Sequence, residues 1–367
     1  MMLSVIKNRR GVALLITVTI TTILIAAALE LNRKVRISVT AIATTRDRFT
    51  LSHMATAGVH AAMAMLVKDK MSTPAGTDSV QEDWSDPEEI SEVLQAITFE
   101  KGRVTFSITD ELGKIQANAL VDFPKGRGFK KFQQSIWDNL IRPVISQDED
   151  IKDINATTDI INSVKDWLDS GDDDAITGVN GAESNYYQGL DPPYSCRNGP
   201  FTHTDELAMV KGIAPELIYG KGETAGISKY MTIYGISATP KKIDKKSFTY
   251  DGKININTAD IPILEAIIGE ENKECAQAMF DYRKEREETS ESKSYVNRLP
   301  RNWYKNVTGC SDIKIVPEVI RYNSDLFRIE STATLYDNKL VITAVVKRER
   351  DKKTRKWKCR VLSWQTG

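Results

Sequence analysis

Arg9-Arg10-Gly11 is followed at once by Val12-Ala13-Leu14-Leu15-Ile16, and no charged residue returns until Glu30. The run from Val12 to Leu29 holds 18 uncharged residues. As a helix rising about 1.5 Å per residue it would cover about 27 Å, close to the hydrocarbon thickness of a bilayer. Lys7, Arg9 and Arg10 precede the run, which favours a cytoplasmic N-terminus, while Arg33, Lys34 and Arg36 follow it and oppose that bias. A secretory signal has a shorter apolar core and a small-residue cleavage site behind it, and no such site stands near Leu29. A plain signal anchor fits the run by itself. What sets it apart is Gly11, placed between the basic residues and the apolar run.

The helix is expected to continue beyond the membrane. Between Glu30 and Lys70 there is no proline and a single glycine, and Val35, Val39, Ile42, Phe49, Val59, Met63 and Leu66 recur at roughly helical spacing. One helix over about 12–70 is predicted, apolar all round in its first half and amphipathic in its second. The alternative is two helices with a break at 30–34.

Gly102 to Thr109 alternates with period two and reads as a strand, with a turn at Asp110–Gly113 and a returning strand from Lys114 to Asn118. From Phe123 to about Arg321 the pattern turns helical. Phe129, Phe132, Ile136 and Leu140 mark a helix that Pro143 should end. Ile154 to Leu168 marks a second, Thr204 to Val210 a third with Thr202 or Thr204 as cap, Asn257 to Ile268 a fourth and Asn272 to Glu288 a fifth. Strands return at Leu326–Leu335, Leu340–Lys347 and Trp357–Trp364, a meander with tight turns. One hairpin before the helical block and three strands after it predict a single sheet interrupted by an insertion of about two hundred residues, which slow growth of loop-closure entropy makes tolerable.

Lys+Arg and Asp+Glu both number 50 in 367 residues, so no global charge points to nucleic acid or a membrane surface. The four cysteines, Cys196, Cys275, Cys310 and Cys359, include no Cys-x-x-Cys pair and there are only three histidines, which argues against zinc. If the body is exported, disulfides are allowed. Cys275 and Cys310, both in the inserted block, are the expected pair, although spacing alone leaves the connectivity open.

The strongest site signal is a loop. Asp166, Asp169, Asp172, Asp173, Asp174, Glu183 and Asp191 crowd one stretch with no basic residue among them. Such crowding is repulsive unless solvent or a hard cation relieves it, and oxygen donors suit calcium. The spacing is not an EF-hand, because Ile176 and Thr177 stand where that motif needs a ligand and a glycine; a solvated acidic loop is the plain alternative. No catalytic constellation emerges: His203 reads as a helix cap, Asp205-Glu206 as a first-turn pair, and Trp167, Tyr186 and Tyr187 as packing. Asp251 to Ala259, with Asp281-Tyr282-Arg283 beyond, resembles part of a helix-hairpin-helix unit, so a membrane-tethered DNA receptor is the rival reading. Its hairpin would be Gly269-Glu270-Glu271-Asn272, whose carboxylates repel phosphate, or Val210 to Pro215, followed by Glu216.

Several motifs in one order resemble the K-type minor pseudopilin of bacterial type II secretion. They are Arg10-Gly11; Thr109 to Ile115 with Asn118; Asp166 to Asp169 with Gly181, Glu183 and Tyr186-Tyr187; Asn198 to Phe201 leading into Asp205 to Leu207 and Val210 to Gly212; Ile218 to Gly220; Tyr230 to Gly235; and Ile254 to Ala259. The resemblance runs from Arg10 to about Ala266, and after Tyr295 it survives only as strand pattern. It implies an α+β, pilin-like fold with a large helical insertion, divided as leader 1–11, transmembrane and stem helix 12–70, first sheet part 71–122, inserted domain 123–321 and terminal strands 322–367. It implies a non-enzymatic inner-membrane protein, single-pass, with its body in the periplasm. A prepilin peptidase would cut between Gly11 and Val12 and methylate the new N-terminus. The implied partners are the I-type and J-type minor pseudopilins and the major pseudopilin, with no nucleic acid. The resemblance also implies calcium in the inserted domain, with Asp169, Asp172, Asp173 and Glu183 falling on the acidic motif; Gly171 stands where the family has another Asp. Ile16 occupies the fifth mature position, where the family usually has Glu.

Overall fold

A single helix, α1 (Arg9–Ser72), runs for 64 residues without interruption and would be about 96 Å long. The computed structural model describes residues 9–72, 76–123, 126–146, 156–170, 176–222, 224–238, 248–288 and 293–367. The apolar window of α1 has a mean hydropathy of 2.6 and no buried residue, as a span meant for lipid would have. From Leu51 onward the same helix becomes one-sided: Leu51, Met54, Ala55, Val59, Ala62 and Leu66 are buried at spacings of three and four. This is the single helix expected over about 12–70, and the alternative break at 30–34 is absent.

That buried stripe lies on a four-stranded antiparallel sheet in the order β1 (Arg103–Asp110), β2 (Leu326–Leu335), β3 (Asn338–Arg350) and β4 (Trp357–Thr366). β1 pairs with β2 from Arg103↔Thr334 to Asp110↔Phe327. Strict alternation turns Val104, Phe106, Ile108 and Asp110 inward. Helix and sheet cross closely at Gly58, where a Cβ would stand 2.3 Å from Ser331 Oγ and 2.9 Å from Val104 Cγ2. Trp84, from the segment that joins α1 to the short helix α2 (Pro87–Ala96), closes the core edge-on against Phe327 at 5.2 Å.

Between β1 and β2 the chain leaves the sheet to build a second body with its own core. Its helices are α3 (Gln133–Ser146), α4 (Ala156–Leu168), α5 (Ser184–Gln188), α6 (Pro215–Tyr219), α7 (Ile261–Ile268) and α8 (Lys273–Lys284). The sheet takes one strand before the insertion, not a hairpin. Asp110 caps a 3-10 turn by accepting from Leu112 N at 2.8 Å. Ile115-Gln116 then pairs in parallel with Met231-Thr232, so the inserted core begins at Ile115, ahead of the expected boundary at 123.

Other boundaries shift for local reasons. Pro143 lies inside α3, because burial of Ile141 and Ile145 on either side outweighs the hydrogen bond it forfeits. The cap near residue 203 is His203 rather than either threonine, with Glu206 Oε1 accepting from Thr202 N and His203 N. Asn257 does not open α7. Its amide spans Asp78 O and Tyr322 O and accepts from Trp303 Nε1, and Asp260 is the cap. The fifth helix stops at Lys284, since Arg286–Glu288 pairs with Lys293–Tyr295 as a hairpin. Cys275 and Cys310 are bonded, with Cα atoms 5.8 Å apart, while Cys196 and Cys359 are thiols.

Candidate metal centre and the junction cluster

α4 ends in the acidic stretch and carries Asp166 near its end. Asp166 is fully buried and accepts from Thr177 N at 3.1 Å and Ala182 N at 2.9 Å. The loop can close so tightly only because residue 181 is glycine: a Cβ there would stand 2.2 Å from Asp166 Oδ2. Asp169 follows the last helical residue, and Glu183 precedes α5. Asp166, Asp169 and Glu183 each offer a carboxylate oxygen within 4.8 Å of the others, and all three are buried. Lys165 lies 3.1 Å from Asp169 Oδ2 and donates to Thr177 Oγ1 at 2.8 Å. Three carboxylates this close repel one another, and a cation between them would relieve that repulsion.

Cys196 Sγ touches the same pocket through Asp166 O at 3.7 Å. Burial, with the charges of Glu183 and Asp166 adding to it, pushes its thiol up to about 12, so it stays protonated. The donors are therefore carboxylate oxygens, a set for a hard cation and not for zinc. An edge-on pair of Trp167 and Tyr187, 5.0 Å between centroids, backs the pocket. Of the expected ligands, Asp169 and Glu183 come together here, and Asp172 and Asp173 lie outside the described residues. Asp166 was counted in the acidic loop but not among the ligands. Its spacing of three from Asp169 on a helix, which places both on one face, is the signal that would have found it.

A second cluster was not visible in the sequence. Arg348, on the inward face of β3, reaches Asp69 Oδ2 at 2.9 Å, Asp78, and the carbonyls of Leu66 and Ser324, both at 3.1 Å. Lys70 adds a contact to Asp78 at 3.5 Å. Glu82 completes a trio of carboxylates with Asp69 and Asp78, and accepts from Trp84 Nε1 at 2.7 Å. Two cations are already built in, so three acids and two bases balance once one acid keeps its proton. Burial, aided by the charges of Asp69 and Asp78, pushes Glu82 up to about 8. Between the ordinary value near 4.5 and about 8, the folded chain holds a proton that the unfolded chain has lost, so this group lowers stability as pH rises through that window. Glu82→Gln removes that slope. Chemical unfolding at pH 5 and pH 8.5 is expected to show the variant gaining on the parent at the higher pH; parallel behaviour at both would refute the assignment.

The segment 118–220 matches the family model described as type II secretion system protein K. Residues 118–220 belong to the type II secretion protein K family. The match contains the whole acidic pocket, from Asp166 to Glu183. The type II secretion system protein K of Aeromonas hydrophila is 37% identical over 68 residues, 18% of this chain and 20% of that protein, so the alignment spans a fifth of the relative's length. A chain in the crystal structure of the GspK–GspI–GspJ complex from the enterotoxigenic Escherichia coli type 2 secretion system superposes with a TM-score of 0.58. That superposition is at 16% identity and covers 88% of this chain and 98% of that one. The fold is thus α+β and pilin-like, with a protein K body inserted in it. The helix-hairpin-helix reading is not supported. Gly269 is followed by exposed Glu270 and Glu271, and Lys211 of the other candidate hairpin is turned onto Asn180 O at 3.1 Å and the Tyr186 ring.

Proposed function

We propose that the protein is a minor pseudopilin of type II secretion, a structural subunit with no catalytic role, placed at the tip of a periplasmic pseudopilus. The observation that carries this is the continuity of α1. A membrane-length apolar half passes without a break into a half packed on the sheet, so one rigid rod can anchor the subunit in the inner membrane and present its body beyond it. I-type and J-type minor pseudopilins are the proposed neighbours, docking along the exposed stem at Val35, Val39 and Ile42, with the major pseudopilin below them. The protein K body juts from between β1 and β2 and would obstruct stacking above it. Ile16 supports the same position. In the family a Glu at that point pairs with the N-terminal amine of a neighbour, and an unpaired charge in lipid is expensive, so a subunit that lacks it is suited to be first in. The acidic pocket is proposed to hold calcium through Asp166, Asp169 and Glu183, with Asp172 and Asp173 of the same loop. Bound there, the ion supplies charge balance and rigidity.

A prepilin peptidase is proposed to cut between Gly11 and Val12 and methylate Val12. Co-expression with such a peptidase is expected to yield protein whose N-terminal sequence starts at Val12. Uncut chain under conditions that process a major pseudopilin would count against the pseudopilin reading.

A further inference from the structure

A cleft of about 350 Å³ opens at the seam where the inserted body meets the end of β1 and the segment after α1. That is the small end of the roughly 300–1,000 Å³ found for ligand sites. We propose that this cleft binds an acidic side chain of a partner polypeptide together with an apolar neighbour in the partner's sequence. The inference does not depend on the secretion reading.

Charge is the first argument. Lys114, Lys229, Arg283 and Lys284 all line the cleft, and of these Lys114 is paired with Glu111 at 3.1 Å, which leaves the other three. Arg283 is fully buried; its guanidinium donates to Ile256 O and Ala259 O, each at 2.7 Å, and lies 5.5 Å from the Phe280 centroid and 6.0 Å from the Trp303 centroid, with no carboxylate in contact and no partner for its Nε among the described residues. A buried cation without a carboxylate in contact is rare unless something else answers it. Lys284 stands beside it with its Nζ 4.0 Å from the centroid of the Phe280 ring and no carboxylate within salt-bridge reach among the described residues. Lys229 is 3.9 Å from Asp260, a loose pair. Of the two acids of the lining, Asp260 is the one beside Lys229, and Asp110 is taken up by Leu112 N, Asn255 Nδ2 and Thr258 Oγ1.

Shape and chemistry narrow the ligand. Trp84, Ile108, Ile263 and Phe280 make much of the wall apolar, which suits a hydrocarbon or aromatic side chain. The outer nitrogens of Arg283 already donate to carbonyls, so no open guanidinium fork is offered to a phosphate. Exposed Lys229 and Lys284 at the rim read the acid while the apolar wall takes its neighbour, a two-part demand that an inorganic anion does not meet.

The test uses the full chain in detergent micelles and fluorescence anisotropy of a labelled peptide containing Phe-Glu-Phe, with Phe-Gln-Phe as its neutral twin. The acidic peptide is expected to bind about tenfold tighter or more. The double variant Lys229→Gln with Lys284→Gln, at exposed positions that leave the core intact, should erase that preference, and Lys284→Arg should retain it. Equal binding of the twins, no binding of the acidic peptide, or a preference that survives the double variant overturns the proposal. Displacement of the peptide by inorganic phosphate at concentrations where acetate has no effect would reassign the cleft to phosphoryl groups and overturn it as well.

Discussion

Arg348→Met is expected to destabilise the protein by about 3–5 kcal/mol, the range seen when one partner of a buried ion pair is removed. Arg348 is 2% exposed and joins the end of the stem, through Leu66 and Asp69 on α1 and Asp78 just after it, to Ser324 before β2. Its guanidinium also lies 4.8 Å from the Phe327 centroid, so the site is dry on that side. Without it, Asp69 and Asp78 face Glu82 with Lys70 as the remaining counter-charge among the described residues. Burial already raises the pKa of Asp69 despite the arginine. Removing the arginine leaves the choice between protonation and exposure, and both loosen the end of the stem from the sheet. Methionine keeps the apolar stem of the side chain, so the loss reports the charge and its hydrogen bonds. Equilibrium urea unfolding of the full chain in micelles measures it. A loss under about 1 kcal/mol would place the cluster among ordinary surface ion pairs.

Calcium is expected to raise the melting temperature of the inserted body, and a chelator to lower it. A ligand that binds only the folded state adds about 2.7 kcal/mol at a hundred times its Kd and about 4 kcal/mol at a thousand times. The pocket gives the reason. Three buried carboxylates lie within 4.8 Å of one another, a close grouping of like charge. A divalent ion would relieve that repulsion and fasten the end of α4 to the start of α5. Asp169→Ala with Glu183→Ala should abolish the calcium effect, and so should Asp166→Asn by itself, which separates the pocket described here from one made of Asp172 and Asp173 only. Identical melting curves of the parent with and without calcium would dismiss the ion.

The elements easiest to read in the sequence were those whose periodicity has one cause. β2 matches its expected range of 326–335, because alternation there meets a single core on one face. α1 was legible because no proline interrupts it and the apolar spacing resumes beyond the charged residues at 30–36. The inserted body was harder. Its helices α5 and α6 have five residues each, too short for a period to show, and their ends are set by tertiary partners. Ile115 looked like the return of a hairpin because its local pattern is that of a strand, and only the pairing with Met231 assigns it to the other core. Asp166 lay in view but lacked the tight loop at Gly181 that gives it a purpose. Arg348 lies just past Lys347, where the strand was expected to end. Yet it continues the inward series of Leu340, Ile342, Ala344 and Val346, and a strict count of two along β3 points it into the core.

The central claim, that this rod and its inserted body form a minor pseudopilin, is tested most directly by assembly. The full chain, co-expressed with I-type and J-type minor pseudopilins of one secretion system and purified in detergent, should elute with both partners as a complex of one copy each by size-exclusion chromatography with light scattering. Elution of the protein free of both partners, with those partners still binding each other, would contradict the account.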